Sequence, residues 1–281
     1  MASNRRPLLR LLPSPSSARN PSNPSLYNPK APTLPLPPQD LAQRCDVVFT
    51  MVGHPSDVRQ IVFGSDGVLS GLNPNSVIVD NTSSHPALAR DIFAAARGKG
   101  CWAVDAPVSG GDIGARDGKL AIFAGGDGRV VKWLTPLFEI FGRVTYMGEA
   151  GCGQSCKIAN QITVGANLLG LSEGLVFAER AGLNVTQFME AVRGGAAGSM
   201  AMELFGERVI KRDFRAGGFA EYMVKDLGMG VDVVEEGEDE RVVVLPGAAL
   251  CKQLFSGMVA NGDGKLGTQG LITVVERING K

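Results

Sequence analysis

Short apolar runs alternate with longer amphipathic stretches between residues 47 and 148. The runs are rich in β-branched residues, which is typical of strands buried on both faces. The predicted strands are Val47–Val52, Ser76–Asp80, Trp102–Asp105, Leu120–Ala124 and Val144–Met147. The amphipathic stretches predict helices at Ser56–Phe63, Pro86–Gly98 and Asp127–Phe141. Strands that alternate with helices in this way predict a mainly parallel sheet covered by helices.

A helical pattern follows from Gly153 onward. Its first segment, Ser155–Ala181, is apolar almost all round, so we expect it to be buried. Further helices are predicted at Asn184–Arg193, Ser199–Lys211, Phe219–Glu235, Gly247–Asn261 and Gly267–Ile278, with a brief strand as an alternative at Val242–Leu245. The fold class is therefore α/β, with an incomplete sheet domain at residues 40–148 and an all-α domain at residues 149–281.

The first 39 residues differ in composition from the rest of the chain. They are rich in proline and serine, carry five basic residues, and contain no acidic residue before Asp40. Because such a segment cannot bury enough apolar surface to order itself, we predict a disordered tail at residues 1–39. An arginine- and serine-rich start without acids is typical of an organelle transit peptide. The alternative is a mis-assigned gene start or untranslated sequence read as protein, and composition alone does not separate the two.

Charge and residue counts exclude several classes of function. The 28 basic and 28 acidic residues cancel, so the chain has no general attraction for nucleic acid or an anionic membrane. Two histidines and five cysteines without a Cys-x-x-Cys pair make a metal site hard to build, and we expect none. No apolar run approaches the roughly 20 residues of a membrane-spanning helix, so we expect no membrane partner either.

A glycine-rich loop, Asp-Ala-Pro-Val-Ser-Gly-Gly at residues 105–111, follows the third predicted strand. Ligands of open parallel sheets bind beyond the carboxyl ends of the strands. The Ser109 hydroxyl and the amides of Gly110 and Gly111 offer donors without bulky side chains, which suits a carboxylate or another oxyanion. A plain glycine-rich turn explains the same residues equally well.

A second glycine run leads into the long helix and is followed by a lysine. Lys157 lies in an early turn, and Asn160 and Gln161 share its face at positions i+3 and i+4. An ammonium on an apolar helix is costly, and carbonyl reduction by hydride needs a proton donor of this kind. The alternative is a lysine that reaches the surface at a helix end, the commoner fate of this residue.

Two further polar groups each allow two interpretations. Thr82 and Ser83 follow a strand, so they either cap the next helix or donate hydrogen bonds to a cofactor, and spacing alone favours the cap. Lys225 and Asp226 lie on a predicted helix, where spacing alone favours a solvated charged pair.

Taken together, these motifs resemble those of the β-hydroxyacid dehydrogenase family. The Asp-Ala-Pro-Val-Ser-Gly-Gly loop precedes Gly-x-Gly-x-x-x-Lys-x-x-Asn at residues 151–160 and Lys-Asp-Leu at residues 225–227, in the family's order and on the same elements. The similarity is greatest to the plant 3-hydroxyisobutyrate dehydrogenase-like group with predicted mitochondrial targeting, and it covers residues 40–278. Several separate motifs agree, which makes the resemblance specific.

The resemblance implies a role for each of these residues. It implies a Rossmann-type sheet domain and NAD or NADP as cofactor. Lys157 is similar to the family's catalytic lysine, and Asn160 and Gln161 to its substrate-orienting pair, although the family often has Asn at the second position. The other implied contacts are the substrate-carboxylate loop Ser109, Gly110 and Gly111, and the cofactor-side residues Met51, Val52, Thr82, Ser83 and Lys225.

An activity with two alternatives is also implied. The expected reaction transfers a hydride between NAD(P) and a 3-hydroxy acid or its semialdehyde, with Lys157 as general acid and base. The alternatives are a glyoxylate or succinic semialdehyde reductase, and an inactive remnant that retains only subunit association. We expect a homo-oligomer in the mitochondrion, with a cytoplasmic location as the alternative.

The family opens with a strand, a Gly-x-Gly-x-x-Gly turn and a helix whose N-terminus binds the cofactor pyrophosphate. None of the strands predicted here leads into such a turn, so we expect a chain truncated in its nucleotide-binding domain or an incomplete gene start. Without that first strand, the Val47–Val52 strand is expected to be an open apolar edge, which is an aggregation hazard.

A missing phosphate turn should weaken cofactor binding, because that turn is the main pyrophosphate site. We therefore predict that the 281-residue chain binds NAD(H) and NADP(H) weakly or not at all. Isothermal titration calorimetry measures this, and a low-micromolar dissociation constant for either cofactor would contradict the prediction.

Overall fold

A computed structural model describes residues 11–12, 36–235 and 243–281 of the chain. These residues form two compact units. The first holds the described residues up to Gly110 together with Gly114–Lys157, and the second holds Gly111–Ile113 and the described residues from Ile158 to Lys281. The predicted class, a parallel sheet with helices followed by an all-helical part, is confirmed. The domain limits at residues 40–148 and 149–281 stay a prediction.

The first unit is built on a sheet of seven strands among the described residues. The strands are β1 (Leu11–Leu12), β2 (Val47–Thr50), β3 (Val77–Asp80), β4 (Trp102–Asp105), β5 (Val108–Ser109), β6 (Leu120–Gly126) and β7 (Gly142–Gly148). Strands β1 to β4 pair in parallel in chain order. Strand β6 pairs antiparallel with β4 and β5, and parallel with β7. The prediction of a mainly parallel sheet is therefore correct, with β6 and β7 running opposite to the other strands.

Six helices lie between these strands in the described part of the chain. They are α1 (Pro38–Ala42), α2 (Pro55–Phe63), α3 (Val68–Gly71), α4 (Pro86–Gly98), α5 (Gly111–Arg116) and α6 (Gly128–Phe138). The sequence predicted α2, α4 and α6. Helices α1, α3 and α5 have four to six residues, and elements this short show no 3.6-residue period.

Alternation along the strands divides the core of the first unit into two layers. Val48 and Ile78 join one hydrophobic cluster with residues of α1 to α4, whereas Phe49 and Val79 join another with residues of α6. Successive side chains of a strand point to opposite faces, so strands that are apolar throughout must be covered on both sides. Because β2, β3 and β4 pair in parallel, their carboxyl ends lie side by side at one end of the sheet.

The structure corrects the expectation of an open edge at β2. Strand β1, inside the predicted tail, pairs with it in parallel, with Leu11 opposite Phe49 and Leu12 opposite Thr50. Pairing gives partners to backbone groups that an edge strand leaves exposed. The predicted disordered tail of residues 1–39 thus contains this strand and the start of α1; its positions 1–10 and 13–35 lie outside the described residues.

Helices form the second unit. They are α7 (Cys152–Arg180), which starts in the first unit, α8 (Val185–Val192), α9 (Met200–Ile210), α10 (Ala220–Glu235), α11 (Pro246–Ala260), a 3₁₀ turn (Thr268–Leu271) and α12 (Ile272–Ile278). The alternative strand at Val242–Leu245 is wrong for residues 243–245, which have no regular structure, and Val242 lies outside the described residues. None of the described helices combines the length and apolarity that a bilayer crossing requires.

Helix α7 is buried on part of its circumference only. Leu168, Leu171 and Leu175 lie in the cores of the second unit, whereas Phe177 is 73% exposed and Gly170 is exposed. The expectation of burial all round is therefore wrong, because the helices of this unit pack along one side of α7.

Candidate active site

Asp105, the last residue of β4, holds the beginning of helix α7. It is 5% exposed and accepts hydrogen bonds from the backbone amides of Gly151 at 2.8 Å and Gln154 at 2.9 Å. The first amides of a helix have no partner inside the helix, so a carboxylate there satisfies them and interacts favourably with the helix dipole. These bonds attach the first turn of α7 to the end of β4.

Gly153 allows the helix to come this close to the sheet. A Cβ atom at this position would lie 2.6 Å from the carbonyl oxygen of Asp105 and even closer to that of Phe123. Position 153 therefore requires glycine because the backbones approach so closely. Position 151 favours glycine for a different reason, since its φ of 91° is rarely adopted by other residues.

Lys157 lies in the second turn of α7 and is 8% exposed. The alternative interpretation, a lysine that reaches the surface, is wrong. Burying an ammonium group is costly, so proteins place one inside where it is paired or used in chemistry. The same charge acts on the neighbouring Cys156, where burial raises the pKa of the thiol and Lys157 opposes that rise.

Gln154 joins α7 to the loop that follows β3. Its Nε2 donates to the carbonyl oxygen of Thr82 at 2.7 Å, and its Oε1 accepts from the amide of Ser84 at 2.8 Å. The side chain is completely buried. One amide thus holds the Thr82–Ser84 loop against the helix that carries Lys157.

Thr82 has a structural role in this loop. Its Oγ1 accepts from the amide of Val52 at 2.9 Å, which ties the loop after β2 to the loop after β3. Asp80 accepts from the amide of Thr82 at 3.1 Å and from the hydroxyl of Thr50 at 2.9 Å. The interpretation of Thr82 and Ser83 as caps of α4 is wrong, because the Nδ1 of His85 caps that helix by accepting from the amide of Ala87.

Two residues expected near the cofactor stand immediately beyond β2. Met51 is 48% exposed, and Val52 is half-buried. Ser83 in the neighbouring loop is also half-buried. The structure therefore places all four residues of the predicted cofactor side in this unit at the carboxyl ends of β2 and β3.

Asp80 and Asp105 are buried carboxyl groups at neighbouring strand ends. Burial raises the pKa of each from 3.8 to about 6, and the amide and hydroxyl donors that contact them oppose the rise. For Asp80, the nearby charge of Asp105 adds to the increase. Both groups therefore change protonation in the folded chain at a higher pH than in the unfolded chain.

This difference predicts how stability depends on pH. An acid that binds its proton more tightly when folded stabilises the fold fully below pH 4, and that contribution is lost as the pH rises to about 6. For Asp105 the change is about 3 kcal/mol. We expect Asp105→Asn to flatten the pH dependence of the free energy of unfolding between pH 4 and 6, measured by urea denaturation. Asp66→Asn, on an exposed turn, is the control; equal slopes for both variants and the wild type would contradict the account.

The loop at residues 109–111 has a backbone that requires glycine. Ser109 ends β5, opposite Ala121 of β6, and Gly110 and Gly111 have φ angles of 129° and 63°. L-residues other than glycine rarely adopt such angles. Ser109 is half-buried and both glycines are exposed, so this loop is open to solvent.

The second unit holds the remaining polar residues in one hydrogen-bonded chain. Asn160 Nδ2 donates to Gln161 Oε1 at 3.0 Å, and Gln161 Nε2 donates to Asp226 Oδ2 at 2.7 Å. Lys225 Nζ lies 3.1 Å from Asp226 Oδ1. The side chains of Lys225 and Asp226 are 11% and 4% exposed, so the interpretation of a solvated pair is wrong.

Among the predicted residues, Thr82 is joined to the helix of Lys157 through Gln154 in the first unit. In the second unit, Asn160, Gln161 and Lys225 are joined through Asp226. Three residues that organise them were missed as such: Asp105, Gln154 and Asp226. Asp105 and Gln154 lie inside the motifs described above. The sequence signals that could have identified them are a carboxylate at the end of a strand and an amide side chain at the start of a helix. For Asp226, spacing alone favours a solvated pair with Lys225, because local spacing does not reveal burial.

Comparison with known proteins identifies the family. Residues 31–148 match the family described as NAD binding domain of 6-phosphogluconate dehydrogenase, and residues 151–275 match the one described as NAD-binding of NADP-dependent 3-hydroxyisobutyrate dehydrogenase. An Arabidopsis thaliana protein named "Probable 3-hydroxyisobutyrate dehydrogenase-like 3, mitochondrial" is 62% identical over 243 residues, which cover 86% of this chain and 73% of that protein. The chain belongs to the 3-hydroxyisobutyrate dehydrogenase family.

More distant members of the family support the same family assignment. The 2-hydroxy-3-oxopropionate reductase of Escherichia coli is 36% identical over 239 residues, covering 85% of this chain and 80% of the enzyme. A crystal structure of 3-hydroxyisobutyrate dehydrogenase from Salmonella typhimurium is 26% identical, with a TM-score of 0.75 over 84% of this chain and 81% of that one. By family, this 3-hydroxyisobutyrate dehydrogenase-like chain is an NAD(P)-dependent hydroxyacid dehydrogenase.

Two features bear on the groups that this dehydrogenase-like chain can bind. The letters Gly-x-Gly-x-x-Gly occur at residues 262–267, but there they connect α11 to the 3₁₀ turn and follow no strand, so they are not a dinucleotide turn. Within the part of the chain that the structure describes, no group of three or more His, Cys, Asp or Glu residues is placed to hold a metal ion.

Proposed function

We propose that this chain catalyses the reversible oxidation of a 3-hydroxy acid, such as 3-hydroxyisobutyrate, to its semialdehyde with NAD or NADP. The observation that carries the proposal is the burial of Lys157 in the second turn of α7, whose beginning is attached to the end of β4 by Asp105. Ligands of such sheets bind beyond the strand ends, so the lysine is held at the edge where the reaction is expected.

Lys157 moves the proton of the reaction. During oxidation its neutral amine takes the proton of the substrate hydroxyl while the hydride leaves the carbon that bears this hydroxyl. During reduction its ammonium gives a proton to the new alkoxide. The bound NAD or NADP accepts or supplies the hydride. Burial of the lysine keeps water from competing for the proton.

The loop Ser109, Gly110 and Gly111 binds the substrate carboxylate in this proposal. Its support is a half-buried serine followed by two exposed glycines with positive φ angles. Hydrogen bonds to a charged group are stronger than neutral ones, so this loop should contribute mainly to substrate binding.

Ser109→Ala is expected to raise KM for the hydroxy acid by roughly 10-fold and to change kcat little, because one charge-assisted hydrogen bond is lost equally in the ground and transition states. Steady-state kinetics at fixed cofactor concentration measure this. Ser65→Ala, on an exposed turn, is the control. An unchanged KM would remove Ser109 from the substrate site.

The proposed cofactor contacts of the first unit are Met51, Val52, Thr82 and Ser83. In the second unit, Lys225 is the proposed cofactor contact. The two loops fit the nicotinamide end of the cofactor, because they lie at the carboxyl ends of β2 and β3 and the Val52–Thr82 hydrogen bond holds them together. The hydroxyl, amide and carbonyl of Thr82 bond to Val52, Asp80 and Gln154, so Thr82 shapes the loop, and the half-buried Ser83 is the residue of this loop that a cofactor would meet. No residue is assigned to the pyrophosphate.

Substrate assays separate this proposal from its alternatives. The 281-residue chain should oxidise 3-hydroxyisobutyrate with a higher kcat/KM than it reduces glyoxylate or succinic semialdehyde. Oxidation is assayed with NAD or NADP and reduction with NADH or NADPH, each at millimolar concentration. Faster reduction of glyoxylate or succinic semialdehyde would favour the reductase alternative. A folded chain without turnover on any of these would favour the inactive remnant.

We further propose a mitochondrial, homo-oligomeric protein. The Arabidopsis relative is named mitochondrial, and the first 39 residues are basic and lack acids. Self-association is supported by large exposed apolar side chains of the second unit, such as Phe177 and Met200. Import into isolated mitochondria and sedimentation velocity test the two statements; exclusion from the organelle, or a monomer at micromolar concentration, would contradict them.

A further inference from the structure

We propose that Gln154 is a positioning residue that fixes the backbone on both sides of Ser83 and so holds the Ser83 side chain toward the cofactor. This rests on the proposed function, in which Ser83 meets the nicotinamide end of NAD or NADP. The proposal makes Gln154 responsible for affinity toward the cofactor, whereas Lys157 on the same helix moves the proton.

The loop Thr82–Ser84 offers one side chain to solvent. Thr82 and Ser84 are buried, whereas Ser83 between them is half-buried. The Ser84 hydroxyl has no hydrogen-bond partner among the described residues, and the Thr82 hydroxyl accepts from the amide of Val52. A ligand that reaches this loop at the carboxyl end of β3 would therefore meet Ser83.

Gln154 holds both peptide groups that flank Ser83. The carbonyl oxygen of Thr82, 2.7 Å from Gln154 Nε2, belongs to the peptide group before Ser83, and the amide of Ser84, 2.8 Å from Oε1, belongs to the one after it. Peptide groups are planar, so a residue has only two soft backbone angles, one toward each neighbouring peptide group. With both peptide groups held, these two angles of Ser83 are fixed, and the direction of its Cα–Cβ bond is fixed with them.

Gln154 can fix this loop because its own backbone is attached to the sheet. Its amide donates to Asp105 Oδ2 at 2.9 Å in the first turn of α7, and its side chain is completely buried. At the other end of the network, the amide of Thr82 donates to Asp80 Oδ1 at 3.1 Å. A protein group that is held in place before binding loses less conformational freedom when its ligand arrives, so this support should strengthen cofactor binding.

The partners of Gln154 allow one orientation of its amide. A carbonyl oxygen can only accept and a backbone amide can only donate, so Nε2 must face Thr82 and Oε1 must face Ser84. A glutamate at this position has nearly the same shape. A protonated carboxyl group can donate to Thr82 and accept from Ser84, but an ionised one has only acceptors and leaves the Thr82 carbonyl without its donor. The protonation state of Gln154→Glu therefore switches one of the two bonds.

Gln154→Glu tests the proposal through the dissociation constant for NAD, measured without turnover by NMR titration of the amide resonances of the protein. Burial disfavours the ionised carboxylate, so the introduced group should ionise above the usual pH range of glutamate. We expect binding within about twofold of the wild type while this group is protonated, and roughly 10-fold weaker binding once it has ionised. The method measures millimolar dissociation constants, which suits the weak binding expected of this chain.

Ionisations of other groups are common to the wild type and the variant. Titratable side chains on the strands, loops and helices around Gln154 include Asp80, His85, Arg90, Asp105, Cys152, Cys156 and Lys157. Their effects on binding should appear in every titration. Gln60→Glu, at an exposed position on α2, introduces the same carboxyl group elsewhere and is the matched control, which should keep the pH dependence of the wild type.

Ser83→Ala shows whether Gln154 acts through Ser83. Alone, this change should weaken NAD binding roughly 10-fold, because it removes the hydroxyl that meets the cofactor. In this background Gln154→Glu should have no pH-dependent effect on the dissociation constant, since the group that it positions is gone. A glutamine with a structural role only would make the melting temperature of Gln154→Glu fall with rising pH and would leave the dissociation constant unchanged.

The outcomes separate this proposal from the proposed function. If Ser83→Ala binds NAD as tightly as the wild type, or if the wild type binds no NAD at millimolar concentration, the proposal is wrong whatever the stability of the Gln154 variants. It is also wrong if Gln154→Glu keeps the wild-type pH dependence, or if its new pH dependence persists in the Ser83→Ala background. Full activity of Lys157→Met would instead overturn the proposed function, and it would leave these dissociation constants as they are.

Discussion

Lys157→Met is expected to lower kcat for oxidation of 3-hydroxyisobutyrate by about 10²- to 10⁴-fold, the usual contribution of a positioned general base. Methionine has nearly the volume of lysine without its charge, so the buried site should remain filled and the fold intact. Steady-state kinetics with millimolar cofactor measure the effect.

Two controls make this result specific. Lys132→Met, an exposed lysine on α6, should retain wild-type kinetics. The melting temperature of Lys157→Met should equal or exceed that of the wild type, because a buried charge has been removed. A residual kcat within about threefold of the wild type would contradict a role for Lys157 in proton transfer.

Gly153→Ala is expected to lower the free energy of unfolding by about 2–4 kcal/mol and to abolish most activity. The added Cβ would lie 2.6 Å from the carbonyl oxygen of Asp105, so either β4 or the start of α7 must move. Movement there weakens the hydrogen bonds between Asp105 and the first amides of α7, and it displaces the helix that carries Lys157.

The same helix supplies a matched control. A Cβ at Gly170 meets no atom within 4 Å, so Gly170→Ala should be neutral or should stabilise the chain by about 0.5–1 kcal/mol. Urea denaturation of both variants measures the difference. If Gly153→Ala were as stable and as active as Gly170→Ala, close approach of α7 to the sheet would not be needed.

Much of the fold could be predicted from the sequence because its longer elements carry a clear period. Helix α4 and strand β4 were predicted with the bounds observed, since an amphipathic stripe and a short apolar run are local properties. Strand β5 and helix α5 were not predicted. Their few residues show no period, and only pairing with β6 or the following turn defines them.

Chemistry within one motif was predictable, but partners distant in sequence were not. The position of Lys157 on α7 follows from its neighbours along the chain. The contacts of Asp105 with Gln154, of Gln154 with Thr82, and of Gln161 with Asp226 join residues 49, 72 and 65 positions apart. No local pattern encodes such pairs, because the sheet and the helix packing create them.

Thr82 illustrates the same limit. Its spacing from the next helix favoured a capping role, yet His85 caps α4 and the Thr82 hydroxyl accepts from Val52 on the neighbouring strand's loop. From the sequence alone, either Thr82 or His85 is compatible with capping α4. The parallel pairing of β2 with β3 decides between them, since it brings Val52 to Thr82.

The pH dependence of kcat in both directions tests the central claim most directly. If Lys157 carries the proton, oxidation of 3-hydroxyisobutyrate should accelerate with rising pH and reduction of its semialdehyde should slow, both through one ionisation that is absent from the residual activity of Lys157→Met. The same ionisation persisting in Lys157→Met would show that another group transfers the proton, and would contradict the account.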